Sequence, residues 1–180
     1  MTNQIARNLL LTGPPGCGKT TVIRRLIERL GNLRLAGFYT QEVRERGQRV
    51  GFEAISLSGQ RVVLAHVRSP SRHRVGRYGV NPDQLQPLVQ KEVASADDVD
   101  VFVIDEVGKM ELLCPAFVET VPQLLDGPVP VVVTVAEKGQ GLIAQVKARG
   151  DAWLVRVTQE NRARLPEELE RWVRDRLGSG

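Results

Sequence analysis

The residues with the clearest chemistry are Gly13-Pro14-Pro15-Gly16-Cys17-Gly18-Lys19-Thr20, which keep the spacing G-x-x-x-x-G-K-[ST]. That pattern suits a polyphosphate. The glycines let successive backbone N–H groups turn inward where a Cβ would block the approach. Lys19 reaches the β- and γ-phosphates as a point charge, and the Thr20 hydroxyl is placed to hold Mg²⁺. Cys17 occupies a variable position and reads as a small filler rather than a redox group.

A second acidic site follows from Val101-Phe102-Val103-Ile104-Asp105-Glu106, an apolar run that ends in two carboxylates. A carboxylate at the end of a strand beside the phosphate loop holds Mg²⁺, so Asp105 is expected as a metal residue together with Thr20. Glu106 is expected to orient the attacking water or take its proton, a task that hydrolysis needs and phosphoryl transfer to a substrate hydroxyl does not. Gly108 and Lys109 lie in the following loop, near the same phosphates, with Lys109 read equally as a γ-phosphate contact or a solvated lysine. Thr134, near the end of a later apolar run, reads as a core-edge threonine or as a sensor of the γ-phosphate or water. Ala136-Glu137-Lys138-Gly139 is not N-K-x-D, so the usual guanine-reading motif is missing.

The elements that must position these groups follow from periodicity. Asn8 to Thr12 reads as a short buried strand entering the loop. Val22, Ile23, Leu26, Ile27 and Leu30 then recur at helical spacing, and Gly31 stops the helix. Ala36 to Val67 reads as antiparallel strands joined by tight turns at Arg46-Gly47 and Ser58-Gly59. Arg68 to Tyr78 reads as basic and irregular, and Pro82 to Ala96 as a helix with Asn81 as N-cap. Strands and helices alternate from there: strand Val99 to Asp105, helix Pro115 to Leu125 with a kink before Pro122, and strand Pro130 to Val135. Helix Leu142 to Ala148, strand Trp153 to Val157 and helix Pro166 to Leu177 complete the series. Strand–helix alternation implies parallel βαβ units, so an α/β fold is expected, as one domain over residues 1–180 with a hairpin extension at about 37–67.

Composition narrows the class. At 180 residues, 42% hydrophobic and 26% charged, the chain has an ordinary globular make-up. Its apolar runs are too short to cross a bilayer, and Met1 to Arg7 lack the pattern of a signal peptide, so a soluble, cytoplasmic protein is expected. Two distant cysteines, Cys17 and Cys114, and two histidines cannot make a four-ligand metal site. The net charge of +4 is a mild bias toward anionic partners. Arg61, Arg68, Arg72, His73, Arg74 and Arg77 are the densest basic stretch, with Tyr78 alone nearby for stacking. A solvated face or phosphate-side contacts are therefore favoured over nucleic acid. An arginine finger could come from that stretch, from Arg149, from Arg162 or from another subunit. Trp153 and Trp172 read as core.

LLTGPPGCGKTT, GFYTQEVRERGQRVGFEAISLSG, VIDEVGKMEL and VTQENR together resemble the nucleoside-triphosphatase family of small P-loop proteins, over roughly Leu10 to Arg162. The phosphate loop is shared by a large superfamily, whereas the GFYT…GF and DEVGKMEL blocks make the match specific. The resemblance implies a RecA-like, mostly parallel sheet flanked by helices, with an antiparallel hairpin extension. It also implies Mg²⁺-dependent hydrolysis of ATP, GTP and other nucleoside triphosphates to diphosphate and phosphate, with little base preference. The family's nucleotide-binding positions map onto Gly13, Pro14, Pro15, Gly16, Cys17, Gly18, Lys19 and Thr20, then Asp105, Glu106, Gly108 and Lys109. Lys19 and Glu106 are the expected catalytic residues. A monomer is expected. The alternatives are a kinase for a nucleoside or other small acceptor, and a nucleotide-switched RNA- or protein-binding module supported by the basic stretch.

Overall fold

The structure is a computed structural model and describes residues 6–178; the reading of Met1 to Arg7 falls mostly outside these residues. Among the described residues nine strands form one sheet in the order β5-β6-β4-β3-β2-β7-β8-β1-β9. Its parallel half consists of β2 (Leu35–Glu45), β7 (Val101–Val107), β8 (Val131–Val135), β1 (Asn8–Thr12) and β9 (Ala152–Arg156). Its antiparallel half continues from β2 through β3 (Gln48–Ser56), β4 (Arg61–His66), β6 (Tyr78–Val80) and β5 (Arg74–Val75).

Both faces of the central strands β1, β7 and β8 are buried, which is why they read as near-continuous apolar runs. Successive residues alternate between two cores. Leu9, Leu11, Val101, Val103 and Val132 face α1 (Lys19–Arg29) and α5 (Leu165–Leu177), and Trp172 packs there with Trp153. Leu10, Phe102, Ile104, Val131 and Val133 face α2 (Pro82–Val89), α3 (Pro115–Asp126) and α4 (Leu142–Lys147). Helix α1 is held by its expected stripe: Val22, Ile23, Leu26 and Leu30 are all buried. Burial of each such side chain contributes about 1.5–3 kcal/mol.

The extension differs from a separate arm. Strand β2 pairs parallel with β7 through Leu35–Phe38 and antiparallel with β3 from Phe38 onward, so one long strand joins the two halves. Arg46 and Gly47 both take positive φ (50° and 79°), as a two-residue hairpin turn requires. The stretch expected to be irregular, Arg68 to Tyr78, contributes the short β5–β6 hairpin that carries the antiparallel half to Val80.

Four further details depart from expectation. The second helix is α-helical only to Val89 and continues as a π-helical segment over Gln90–Ala94. Asn81 stands at its N-cap but makes no side-chain cap, because its amide donates to the Val63 carbonyl and its oxygen accepts from Ser69. Helix α3 extends one residue beyond Leu125 to Asp126, with Pro122 inside it. Strand β7 continues past Asp105 to Val107. No helix among the described residues is long and apolar enough to cross a membrane.

Candidate active site

Strand β1 delivers the chain into the phosphate loop at the carboxyl end of the parallel strands, and α1 leaves from it. Gly18 is the N-cap of α1 in the left-handed region (φ 109°), with no side chain capping the helix. The first-turn N–H groups therefore face the loop, the arrangement that binds anions. Gly13 has no room for a side chain: a Cβ there would lie 2.8 Å from the Val157 carbonyl oxygen and 2.9 Å from Cys17 Sγ. Cys17 is buried and fills the space beside Gly13, as its filler reading expects.

Lys19 is 9% exposed and bends back across the loop. Its ammonium donates to the Gly13 carbonyl at 3.0 Å and the Pro14 carbonyl at 3.5 Å. It also lies 3.7 Å from Glu106 Oε2. The Thr20 hydroxyl donates to Asp105 Oδ2 at 2.7 Å. Adjacent residues at the start of α1 thus each meet one of the adjacent acids on β7.

A regular strand would send Asp105 and Glu106 to opposite faces. The register explains why both serve one site. Ile104 pairs with Val133 and Val107 with Val135, so Asp105 and Glu106 together stand opposite Thr134 alone. That one extra residue is a bulge, a device that re-aims side chains at sheet ends.

Thr134 is fully buried, and its hydroxyl donates to Asp105 Oδ1 at 2.5 Å. The hydroxyl is engaged by the Asp105 carboxylate, which it fixes from the strand between β7 and β1. Thr40 on β2 gives Oδ2 a weaker contact at 3.4 Å. Burial pushes the Asp105 carboxyl upward, and the Thr134 and Thr20 hydrogen bonds with the Lys19 charge pull it back. Burial likewise raises Glu106, opposed by Lys19 and reinforced by Asp105.

The remaining expected residues separate. Gly108 lies against the Glu106 side chain, where a Cβ would stand 2.9 Å from Oε1. Lys109 is exposed and takes no part in the hydrogen bonds and ion pairs that join Lys19, Thr20, Asp105 and Glu106. Arg149 is engaged by Asp126 and Asp151 near the opposite ends of the strands. Arg162 lies beside the loop, with Nη1 3.5 Å from the Cys17 carbonyl. In the basic stretch, Arg61 pairs with Glu53 and Arg68 with Glu45, while Arg74 and Arg77 donate to backbone carbonyls.

Sequence reasoning missed Glu111, which is 5% exposed on the 3-10 turn Glu111–Leu113 just after the bulge. Its carboxyl is pushed up to about 8, first by burial and next by Glu106. The signal was its place in the DEVGKMEL block, where an acid falls among apolar residues. Beside the loop lies a cavity of about 300 Å³, between Pro14 to Cys17 and the segment Arg156 to Gln159.

Hard oxygen donors, the Thr20 hydroxyl and the Asp105 carboxylate, fit a magnesium-type cation that keeps its other positions for water and phosphate. Among the described residues no three His, Cys, Asp or Glu side chains cluster to hold a metal by themselves.

Comparison with known proteins gives a consistent result. The profile of the family described as NTPase matches residues 8–170. A nucleoside-triphosphatase THEP1 of Natranaerobius thermophilus is 41% identical, covering 94% of this chain and 98% of the relative. The human cancer-related nucleoside-triphosphatase is 37% identical over 92% of this chain and 95% of its own. The crystal structure of THEP1 from Aquifex aeolicus superposes with a TM-score of 0.81 at 35% identity, covering 90% of this chain and 96% of that one.

Proposed function

The chain belongs to the NTPase family, and from that membership we propose that it hydrolyses nucleoside triphosphates, with Mg²⁺ and broad base tolerance, to diphosphate and phosphate. The single observation that carries this reading is the pairing of Lys19 with Glu106 and of Thr20 with Asp105 at the mouth of the phosphate loop.

Each side chain then has a task. The loop N–H groups and Lys19 bind the β- and γ-phosphates and offset the charge that spreads over their oxygens in the transition state. Thr20 and Asp105 would hold the cation, which when bound supplies further positive charge to the phosphate oxygens. Thr134 keeps Asp105 turned toward Thr20. Glu106, at the γ-phosphate end beside Lys19, orients the attacking water and receives its proton. Raising Glu106 by burial makes it a better proton acceptor than an ordinary surface carboxylate.

Base tolerance is supported by the cavity beside the loop. It is lined by the loop residues Pro14 to Cys17 and by Arg156 to Gln159, and the guanine-reading N-K-x-D pattern is missing from the sequence. A site without a dedicated base-reading motif discriminates weakly between bases.

The test is phosphate release from ATP, GTP, CTP and UTP with Mg²⁺ and with a chelator, with the other product identified. Release from all four, lost with the chelator and leaving the diphosphate, is the expected result. Tight binding without release, or release only when an acceptor alcohol is added, would overturn the hydrolase reading.

A further inference from the structure

We propose that Glu111 is a positioning residue for Glu106: its buried carboxyl, packed with Glu106 around Gly108, holds the Glu106 side chain at the Lys19 end of the site. The inference rests on the hydrolase reading and adds a residue to it.

The geometry is close. A Cβ on Gly108 would lie 2.9 Å from Glu106 Oε1, 3.0 Å from Glu111 Oε2 and 3.1 Å from Glu106 Cγ. The two carboxyls thus enclose one point and lie within roughly 6 Å of each other, the range in which like charges act strongly. This packing also accounts for glycine at position 108, where a side chain would wedge the pair apart.

The surroundings decide which acid carries charge. Glu106 has Lys19 beside it. Glu111 forms no ion pair with any described residue; it faces Glu106 and Asp105 from β7. The helices packed on its turn, α2 and α3, carry Asp83, Glu119 and Asp126 and no cation, with the Cys114 thiol at the N-cap of α3. The backbone N–H groups of Glu111 and Gly108 favour its carboxylate, but burial and the neighbouring acids outweigh them and push it up to about 8, so at neutral pH it keeps its proton. In that form Glu111 adds no charge beside Glu106 and excludes water from its far side, so Glu106 has one direction in which to point. Ionisation of Glu111 places a second negative charge there and loosens the arrangement.

Three variants test this: Glu111→Gln, Glu111→Ala and Gly108→Ala, each compared with wild type for kcat, KM, the pH profile of kcat and thermal midpoint. Glu111→Ala is expected to lose about 10- to 100-fold in kcat with KM little changed, the cost of a small misplacement of a catalytic group. Gly108→Ala is expected to follow it. Glu111→Gln keeps the shape without the ionisation, so it recovers most of that loss and removes the decline of kcat as pH rises through about 8. If Glu111→Ala instead keeps the wild-type kcat and pH profile while only its thermal midpoint falls, Glu111 is a core residue and the proposal fails. Absence of turnover in the wild type would fail the hydrolase reading instead. Carboxyl carbon NMR of the nucleotide-free protein, assigned with Glu111→Gln, then still decides on Glu111: a midpoint near 8 supports the proposal and one near 4.5 overturns it.

Discussion

Replacing Thr134 with valine removes one hydroxyl from the site and almost nothing else. The two side chains have nearly the same shape, and the position is fully buried, so no water enters to replace the lost donor. Asp105 Oδ1 loses its 2.5 Å partner, while the Thr20 and Thr40 hydroxyls face Oδ2 and the Thr40 backbone N–H also serves the carboxylate. A hydrogen bond to a charged group contributes about 1.5–3 kcal/mol. For a chain of this length each kcal/mol moves the thermal midpoint by about 2–4 °C, so Thr134→Val should melt roughly 3 to 12 °C below wild type. The sign of the pH dependence follows from Asp105, whose carboxyl burial holds above its unfolded value. Such a group contributes stability below the unfolded value and loses it as pH rises through the folded one. Loss of the Thr134 donor penalises only the ionised form. The gap between variant and wild type should therefore widen as pH rises through the titration of Asp105 and close on its acid side, where Asp105 is protonated in both. The assay is thermal unfolding of nucleotide-free protein in chelator across pH, with Thr134→Ser as the control that keeps the hydroxyl. A Thr134→Val midpoint equal to wild type on the alkaline side of that titration, or an equal drop in Thr134→Ser, would refute the reasoning.

Other consequences are as direct. Gly13→Ala forces a Cβ to within 2.8 Å of the Val157 carbonyl at a φ of 149°. It should cost about 1–3 kcal/mol in thermal or urea unfolding and abolish nucleotide binding measured by calorimetry. Glu111 rests in the folded protein at about 8 against an ordinary 4.5, so its contribution to stability declines as pH rises between those values. Glu111→Gln should therefore show a shallower fall of thermal midpoint over that interval. The four common nucleoside triphosphates should be turned over with kcat/KM values within about tenfold of one another, a spread typical of discrimination without paired hydrogen bonds to the base.

Contiguous features were legible in the sequence and tertiary ones were not. The phosphate loop is one run of eight residues whose chemistry is local, and its flanking strand and helix announce themselves by period. Asp105 and Glu106 were legible because an apolar run that ends in acids follows a phosphate loop; without that loop the pair would read as an ordinary polar strand end. Their shared direction was not, since it depends on a bulge that exists only when β7 is paired with β8. Thr134 and Glu111 belong to the site through contacts across 29 residues and around a turn, and a threonine in a valine run carries no mark of its partner. The same holds for the extension. The turns at Arg46-Gly47 and Ser58-Gly59 follow from residue type, but the short β5–β6 hairpin forms against β4 in a stretch whose arginines gave no strand signal. Of the two tryptophans expected in the core, Trp172 on α5 is buried, while Trp153 on the edge strand β9 is half-buried against it.

The central claim is that hydrolysis occurs at this loop with Glu106 acting on the water. The measurement that tests it most directly is steady-state phosphate release with ATP and Mg²⁺, read as kcat and KM for wild type, Lys19→Ala, Glu106→Gln and the exposed control Glu167→Gln. Lys19→Ala should weaken binding and turnover together. Glu106→Gln should lower kcat by about 100-fold or more with KM little changed, and Glu167→Gln should match wild type. A Glu106→Gln enzyme that turns over at the wild-type rate, or a Glu167→Gln enzyme that loses as much, would contradict the account.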